Sequence, residues 1–236
     1  MPAQLQADSL HVAVDLLILT VRGGQLKLFI SRRPSPPYAG CWALPGRFVG
    51  MDESAETAAN KLLEEMLPGN RAFLEQLYTF TDVNRDPRGR VISVAYLAVI
   101  PWGRLQAGNK QKQEIGHWFR IIKKERELRL TNDSGMELIP GDLAFDHGRI
   151  IDTGITRIRG KIDYTDIGFR FLENAHLFSL GELQTVYEAI LDDKLDSSNF
   201  RRAILNRYEK TGRLNQTDQT EKQGRGRPAA LYSIKF

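Results

Sequence analysis

Ser198, Asn199, Arg201, Arg202 and Asn206 fall within nine residues near the end of this chain. Arginine can pair bidentately with guanine and asparagine with adenine, while a serine beside a helix N-terminus can hold a phosphate. Further on, Lys222 precedes Gly224-Arg225-Gly226-Arg227-Pro228. Glycines let a backbone approach closely, and Arg225 and Arg227 suit the negative potential of a narrow A·T-rich minor groove. In the first half of the chain, Arg33, Trp42, Arg47, Arg85 and Arg88 are side-chain types that can hold a phosphate, a ribose or a base.

The elements that must carry the distal group are legible. Ser179 and Glu182 have the spacing of a capping box, and Phe178 can staple onto Leu183. Leu180, Leu183, Val186, Tyr187 and Ile190 then line one face of a helix of about three turns. Asp196-Ser197 caps a second helix, in which Phe200, Ala203, Ile204 and Tyr208 fall on one side. Ser198, Asn199, Arg202 and Asn206 fall roughly opposite, with Arg201 on the flank. Two strands follow, Gly212 to Thr217 and Ala230 to Phe236, around the loop Asp218 to Pro228. Helix, turn, helix and basic hairpin together resemble a winged helix-turn-helix domain. Each feature alone has an ordinary structural explanation, as a packed helix, a solvated face or a flexible loop. Their order inside one basic region makes them support one another.

The charge distribution agrees. The 236 residues carry 33 Lys plus Arg against 29 Asp plus Glu, a net +4. Residues 197–236 hold nine basic and three acidic side chains, +6, so the remainder sums to −2. Such asymmetry favours two domains with different tasks.

Upstream, His11 to Thr20 is apolar apart from Asp15, and Arg22-Gly23-Gly24 separates it from the alternating Gln25 to Ser31, the pattern of a hairpin. A Pro-rich loop, Pro34 to Gly40, leads to a helix over Ser54 to Leu67, capped by Ser54 and ended by Pro68-Gly69. Leu77 to Val83, Val91 to Ile100 and His117 to Ile121 are further strands. This order implies a mixed α/β sandwich through about residue 145. Asp146 to Tyr164 is expected to be a helix leading out of that domain, and Thr165 to His176 a linker with apolar residues that pack on something. The expected organisation is therefore residues 1–145, a connecting segment 146–176, and a DNA-binding domain 177–236.

Residues 44 to 69 resemble the Nudix box, G-x5-E-x7-R-E-U-x-E-E-x-G-U, preceded by Trp42-Ala43-Leu44-Pro45-Gly46-Arg47-Phe48-Val49. In that family the box holds divalent metals and hydrolyses nucleoside diphosphates linked to another group. With Glu53 on the first Glu, Arg47 stands on the leading Gly, Lys61 on the Arg, and Leu62, Glu65 and Met66 on the three carboxylate positions of one helix face. Hard cations need oxygen ligands, and one carboxylate beside two apolar groups does not supply them. Sliding the register by one residue recruits Gly46, Glu64 and Glu65 but puts Asp52 in place of Glu53 and Lys61 on a ligand position. No catalytic residues and no metal are therefore expected. Glu53 and Glu65 join Arg33, Trp42, Arg47, Arg85 and Arg88 as candidate lining of a retained ligand pocket.

A Nudix-like α/β/α sandwich with a mixed sheet, followed by a C-terminal winged helix-turn-helix, is similar to the NrtR family of regulators of bacterial NAD metabolism. Supporting segments include Asp86-Pro87-Arg88-Gly89-Arg90, Ala144-Phe145-Asp146-His147, Arg159-Gly160-Lys161-Ile162-Asp163-Tyr164-Thr165, Phe178 to Ile190 and Asn199-Phe200-Arg201-Arg202. The resemblance implies a homodimeric repressor of NAD biosynthesis or salvage genes that binds a palindromic operator. It further implies release by ADP-ribose or a related NAD metabolite acting as effector, with no cofactor required. By the residue reading above, Ser198, Asn199, Arg201, Arg202, Asn206, Lys222, Arg225 and Arg227 are the expected DNA contacts. Two other readings stay open: an active ADP-ribose pyrophosphatase with an accessory DNA-binding module, and a metabolite-binding protein whose basic tail serves another acidic partner.

One cysteine, Cys41, allows no intrachain disulfide, and the four histidines at 11, 117, 147 and 176 have no zinc spacing. No apolar run is long enough for a membrane span and no leader is expected, so the expectation is a soluble cytoplasmic protein with no membrane partner.

Overall fold

A computed structural model describes residues 9–107, 116–124, 127–221 and 228–236. β1 (His11–Arg22) turns through Gly23 and Gly24 into β2 (Gln25–Arg32), with Arg22 opposite Gln25. Both glycines have positive φ, 56° and 68°, which the tight hairpin turn requires and which a Cβ would strain. β3 (Trp42–Ala43) pairs with β2, and β4 (Gly46–Phe48) with β1. The Ala-, Glu- and Leu-rich α1 (Ala55–Met66) begins where the Ser54 hydroxyl accepts from the Thr57 N–H.

β5 (Phe73–Phe80), β6 (Val91–Val99), α2 (Trp102–Ala107), β7 (His117–Lys124), β8 (Glu127–Thr131), β9 (Glu137–Leu138) and α3 (His147–Lys161) complete the first unit. The main path of its sheet runs β5-β6-β1-β2-β7-β8-β9. β1 is parallel to β6 and antiparallel to β2, so the sheet is mixed.

Alternation along the central strand explains the layers. Val14, Leu16 and Ile18 face α1, packing with Ala58, Ala59, Leu62 and Leu63. Leu17 and Leu19 belong to the opposite core with Ile150, Ile151, Ile155 and Ile158 of α3. Each isoleucine is fully buried, and such burial is worth about 1.5–3 kcal/mol per side chain. A Cβ on Gly154 would collide with Leu17, so glycine is what lets α3 approach the sheet this closely. The stretch expected to lead out of the domain is therefore its second helical layer. Its apolar spacing gives the helix but does not say which surface the helix covers. The following segment is also no exposed linker, because Ile167, Phe169, Phe171 and Leu172 are buried around a short 3-10 turn, Ile167–Phe171.

The second unit holds β10 (Phe178–Ser179), α4 (Leu180–Leu191), α5 (Ser197–Ile204), β11 (Leu214–Glu221) and β12 (Ala229–Ile234), with strand order β10-β12-β11. The capping box is complete: the Glu182 N–H donates to Ser179 Oγ (3.2 Å) and the Ser179 N–H to Glu182 Oε2 (2.7 Å). Phe200, Ile204 and Tyr208 are buried as the helical projection requires, whereas Ala203 is exposed. After α5 the chain widens into a π-type turn, Leu205–Glu209.

The two units share one apolar cluster, running from Leu17 and Ile158 through Phe169 to Tyr187, Phe200, Tyr208 and Tyr232. Polar bonds cross the same seam. Arg159 Nε donates to the Ile190 carbonyl (2.8 Å), and the Tyr187 and Tyr208 hydroxyls donate to the carbonyls of Ile162 (3.1 Å) and Thr165 (2.9 Å). Among the described residues, no helix is long and apolar enough to cross a membrane.

Candidate functional site

The sandwich opens at the N-terminal end of α3 into a cavity of about 290 Å³. β1 contributes Asp15, β4 contributes Arg47 and Phe48, the β5–β6 loop contributes Arg85 and Arg88, and the turn into α3 contributes Phe145 and His147. Arg33 enters from the end of β2. The four arginines Arg33, Arg47, Arg85 and Arg88 are thus brought together from three separate stretches of sequence.

The buried floor of this cavity is an ionic network. Arg85 grips Asp146 with two bonds, Nη2 to Oδ1 (2.6 Å) and Nε to Oδ2 (3.1 Å), and reaches Asp15 Oδ2 at 3.3 Å. Ser93 donates to the same Asp15 oxygen at 2.5 Å. Burial opposes the charge on Arg85, but the bonds and charges of Asp146 and Asp15 outweigh it and raise its pKa above the ordinary value. His147 accepts the Leu44 N–H on Nδ1 (2.9 Å), which leaves the proton of a neutral ring on Nε2, 3.5 Å from Asp15 Oδ1. Burial, the largest influence, pushes the His147 pKa down, although Asp15 and Asp146 pull it up. A Cβ on Gly46 would strike Asp15 Oδ1, so glycine there keeps the carboxylate in place.

The walls combine cations with rings. The Arg33 guanidinium lies 4.6 Å from the centre of Phe145, and Arg88 lies 5.1 Å from Phe48 and 5.6 Å from Phe145. Arg88 is set by Asp86, with Nη2 to Oδ2 at 2.7 Å. Burial raises the Asp86 pKa, but its bonds to Arg88 more than reverse this and hold it below the ordinary carboxylate value. For Arg33, burial and the neighbouring Arg88 lower the pKa. Fixed guanidiniums beside aromatic faces suit a molecule carrying both phosphate and a planar base.

Glu53 and Glu65, expected in the lining, do not line the cavity; they reach it only through Arg47, at 3.1 and 3.4 Å, because their carboxylates pair with that side chain on the α1 side. Lys61 also binds Glu53, at 2.7 Å, and this bond, with the Gly50 N–H, holds the Glu53 pKa below the ordinary value. The residues on the three carboxylate positions of the box are Leu62, Glu65 and Met66, and Leu62 is buried in the core. The donor set does not fit a divalent metal: its neighbouring carboxylate, Glu53, is held by two cations, and Leu62 and Met66 bring no oxygen. Among the described residues, no three His, Cys, Asp or Glu side chains are grouped to hold one. Trp42 lies away from the cavity, buried in the core, where its ring meets Phe119 (5.1 Å) and carries Arg32 on its face (4.7 Å). An indole this large gains more from burial than from a place on a wet wall.

Sequence reasoning did not assign Asp15, Ser93, Asp86, Phe145 or His147 to the pocket. The one available signal was Asp15, the single charge inside an otherwise apolar strand, which demands a buried partner.

The second site is the outer face of α5. Asp196 caps the helix, its carboxylate accepting the Asn199 N–H at 2.8 Å. Ser198, Asn199, Arg201, Arg202 and Asn206 are all exposed. Arg202 Nη2 donates to Asn199 Oδ1 (2.8 Å), which aligns the two side chains, and Arg201 Nη2 donates to the Tyr232 hydroxyl (3.0 Å) on β12. Asn206 lies within the π-type turn, so a steady 100° per residue no longer gives its direction. Lys222, Arg225 and Arg227, expected on the wing, lie outside the described residues.

Comparison with known proteins bears on both sites. Residues 9–135 match the model of the NUDIX domain, and residues 168–234 that of the NrtR DNA-binding winged helix domain. The ADPR-responsive transcriptional repressor NtrR of Acinetobacter baylyi is 33% identical over 223 residues, covering 94% of this chain and 80% of that protein. An ADP-ribose pyrophosphatase of Methanocaldococcus jannaschii is 33% identical over 128 residues, covering 53% of this chain and 63% of that enzyme. Among solved structures, Shewanella oneidensis NrtR complexed with a 27mer DNA superposes with a TM-score of 0.72 at 28% identity, over 95% of this chain and 93% of that one.

Proposed function

Because this chain belongs to the NrtR family of transcriptional repressors, we infer that it holds an operator with its winged helix and lets go when ADP-ribose fills the arginine-lined cavity of its Nudix domain. The observation that carries this reading is the position of α3. Its first turn follows Asp146, which Arg85 grips at the cavity floor, and its last turns meet the reader through Arg159 and Ile162. A ligand that rearranges the cavity therefore acts on the element against which α4 is packed.

ADP-ribose must bind the DNA-incompetent arrangement more tightly, since a ligand shifts an equilibrium only by its difference in affinity for the two states. Arg33, Arg47 and Arg88 hold the diphosphate and Phe145 or Phe48 meets the adenine. Ser198, Asn199 and Arg202 read the major groove, with Arg201, Asn206 and the wing residues Lys222, Arg225 and Arg227 supporting them. The working form is a homodimer on a palindromic operator controlling NAD biosynthesis or salvage genes, the two-fold axis of the protein matching that of the site. It works in the cytoplasm with the chromosome, and it is not a hydrolase.

The test is operator binding by fluorescence anisotropy, titrated with ADP-ribose. Salt-sensitive binding that ADP-ribose weakens supports the reading, and binding indifferent to ADP-ribose overturns the sensor role. The likeness to the pyrophosphatase keeps hydrolysis as the second reading. Magnesium-dependent turnover of ADP-ribose abolished by Glu65→Gln would establish it, and absence of turnover is the expected result.

A further inference from the structure

A second cavity, of about 360 Å³, opens where the edge of the sensor sheet meets the last residues of the reader. Arg71 and Phe73 come from the start of β5, Arg104 from α2, Arg170 from the buried 3-10 turn and Phe236 from beyond β12. The Arg170 guanidinium lies 3.5 Å from the centre of the Phe236 ring and 4.7 Å from that of Phe73. Ring faces attract a cation but give its N–H groups no acceptor. Among the described residues, neither Arg71, Arg104 nor Arg170 has an ion-pair partner. The acids close by bond to other groups: Asp166 pairs with Arg213, and Glu173 Oε1 accepts the Gly103 N–H at 2.6 Å. Burial, the largest influence, lowers the pKa of Arg170 and Arg213 adds to this, although the charge of Asp166 pulls it up.

Three guanidiniums without a bonded carboxylate around one recess concentrate positive potential, and arginine forks match phosphate oxygens. We propose that this cavity is a second ligand site that binds a small phosphorylated anion, no larger than a mononucleotide, between sensor and reader. The volume stands near the lower end of the about 300–1,000 Å³ usual for ligand pockets. The concave, partly aromatic lining favours a free small molecule over the backbone of a duplex. Because both units form the walls, occupancy is coupled to their relative placement. The proposal rests on different residues from the effector cavity and stands or falls separately from it.

The experiment is calorimetric titration of the full chain with inorganic pyrophosphate, in the wild type and in Arg71→Gln, Arg104→Gln and Arg88→Gln variants. Arg71 and Arg104 are exposed, so both variants are expected to melt at the wild-type temperature. The expected result is binding that each of these two substitutions weakens at least tenfold and that Arg88→Gln, in the effector cavity, leaves in place. The proposal is overturned by absence of binding to the wild type, or by binding that Arg88→Gln abolishes and Arg104→Gln does not. It is also overturned if Arg71→Gln and Arg104→Gln weaken only operator binding, which would make this face a contact for the DNA backbone.

Discussion

Arg85 and Arg88 of the arginine-lined cavity and Arg202 of α5 are held in opposite ways. Arg85 and Arg88 are fixed by carboxylates, with Arg85 buried between Asp15 and Asp146. On α5, Arg202 rests only on an amide of its own helix and stays exposed. A small ligand brings few contacts, so its donors have to be oriented before it arrives. A duplex brings a continuous row of acceptors and can orient exposed side chains itself. The same residue type is thus pinned in one region and left exposed in the other, which is what the proposed roles of the two regions require.

The largest expected effect tests the scaffold half of that contrast. Arg85→Ala leaves two carboxylates buried without their partner and is expected to cost about 3–5 kcal/mol in urea unfolding. A cost below 1 kcal/mol would mean that the floor rearranges freely and is no scaffold. Next, Arg202→Ala is expected to weaken operator binding by about 1–3 kcal/mol while leaving ADP-ribose affinity and stability unchanged. An equal loss at both sites would erase the distinction. Arg47→Ala separates holding from building: its pairs with Glu53 and Glu65 are partly exposed, so stability should change by no more than about 1 kcal/mol while ADP-ribose affinity falls.

The smallest effect concerns pH. His147 is kept neutral by burial, its folded pKa lying below the ordinary 6.5 that the unfolded chain restores. Below pH 6.5 the unfolded state takes up a proton that the folded state resists, so this contribution is complete above that pH and lost as the pH falls beneath it. The unfolding midpoint should decline on acidification through this range, and His147→Gln should flatten the decline.

Local chemistry was well written in the sequence. The Gly23-Gly24 hairpin, the Ser54 cap, the Ser179/Glu182 box and the apolar face of α5 at Phe200, Ile204 and Tyr208 depend on neighbours a few residues apart. Long-range placement was not. Nothing within residues 146–164 indicates that the isoleucine stripe closes the sheet, and nothing near Trp42 turns it toward Phe119 and away from the cavity. The short β8 and β9 are flanked by charged residues and turns, which gives alternation too little length to register. For the cavity, the arginines could be nominated by type, but their partners Asp15, Asp86 and Asp146 emerge only when distant strands and loops converge.

The two tyrosine hydroxyls at the seam carry a practical consequence. The carbonyl of Ile162, the C-cap of α3, is one of the helix-terminal acceptors that find no donor within the helix itself, and that of Thr165 lies in the turn beyond it. Tyr187 and Tyr208 provide those partners from the other unit. Cutting the chain between residues 172 and 177 would strand carbonyls on one fragment and phenols on the other, and would part the packed rings of Phe169 and Phe178. Each fragment made alone is therefore expected to unfold at a lower urea concentration than the same unit within the whole chain.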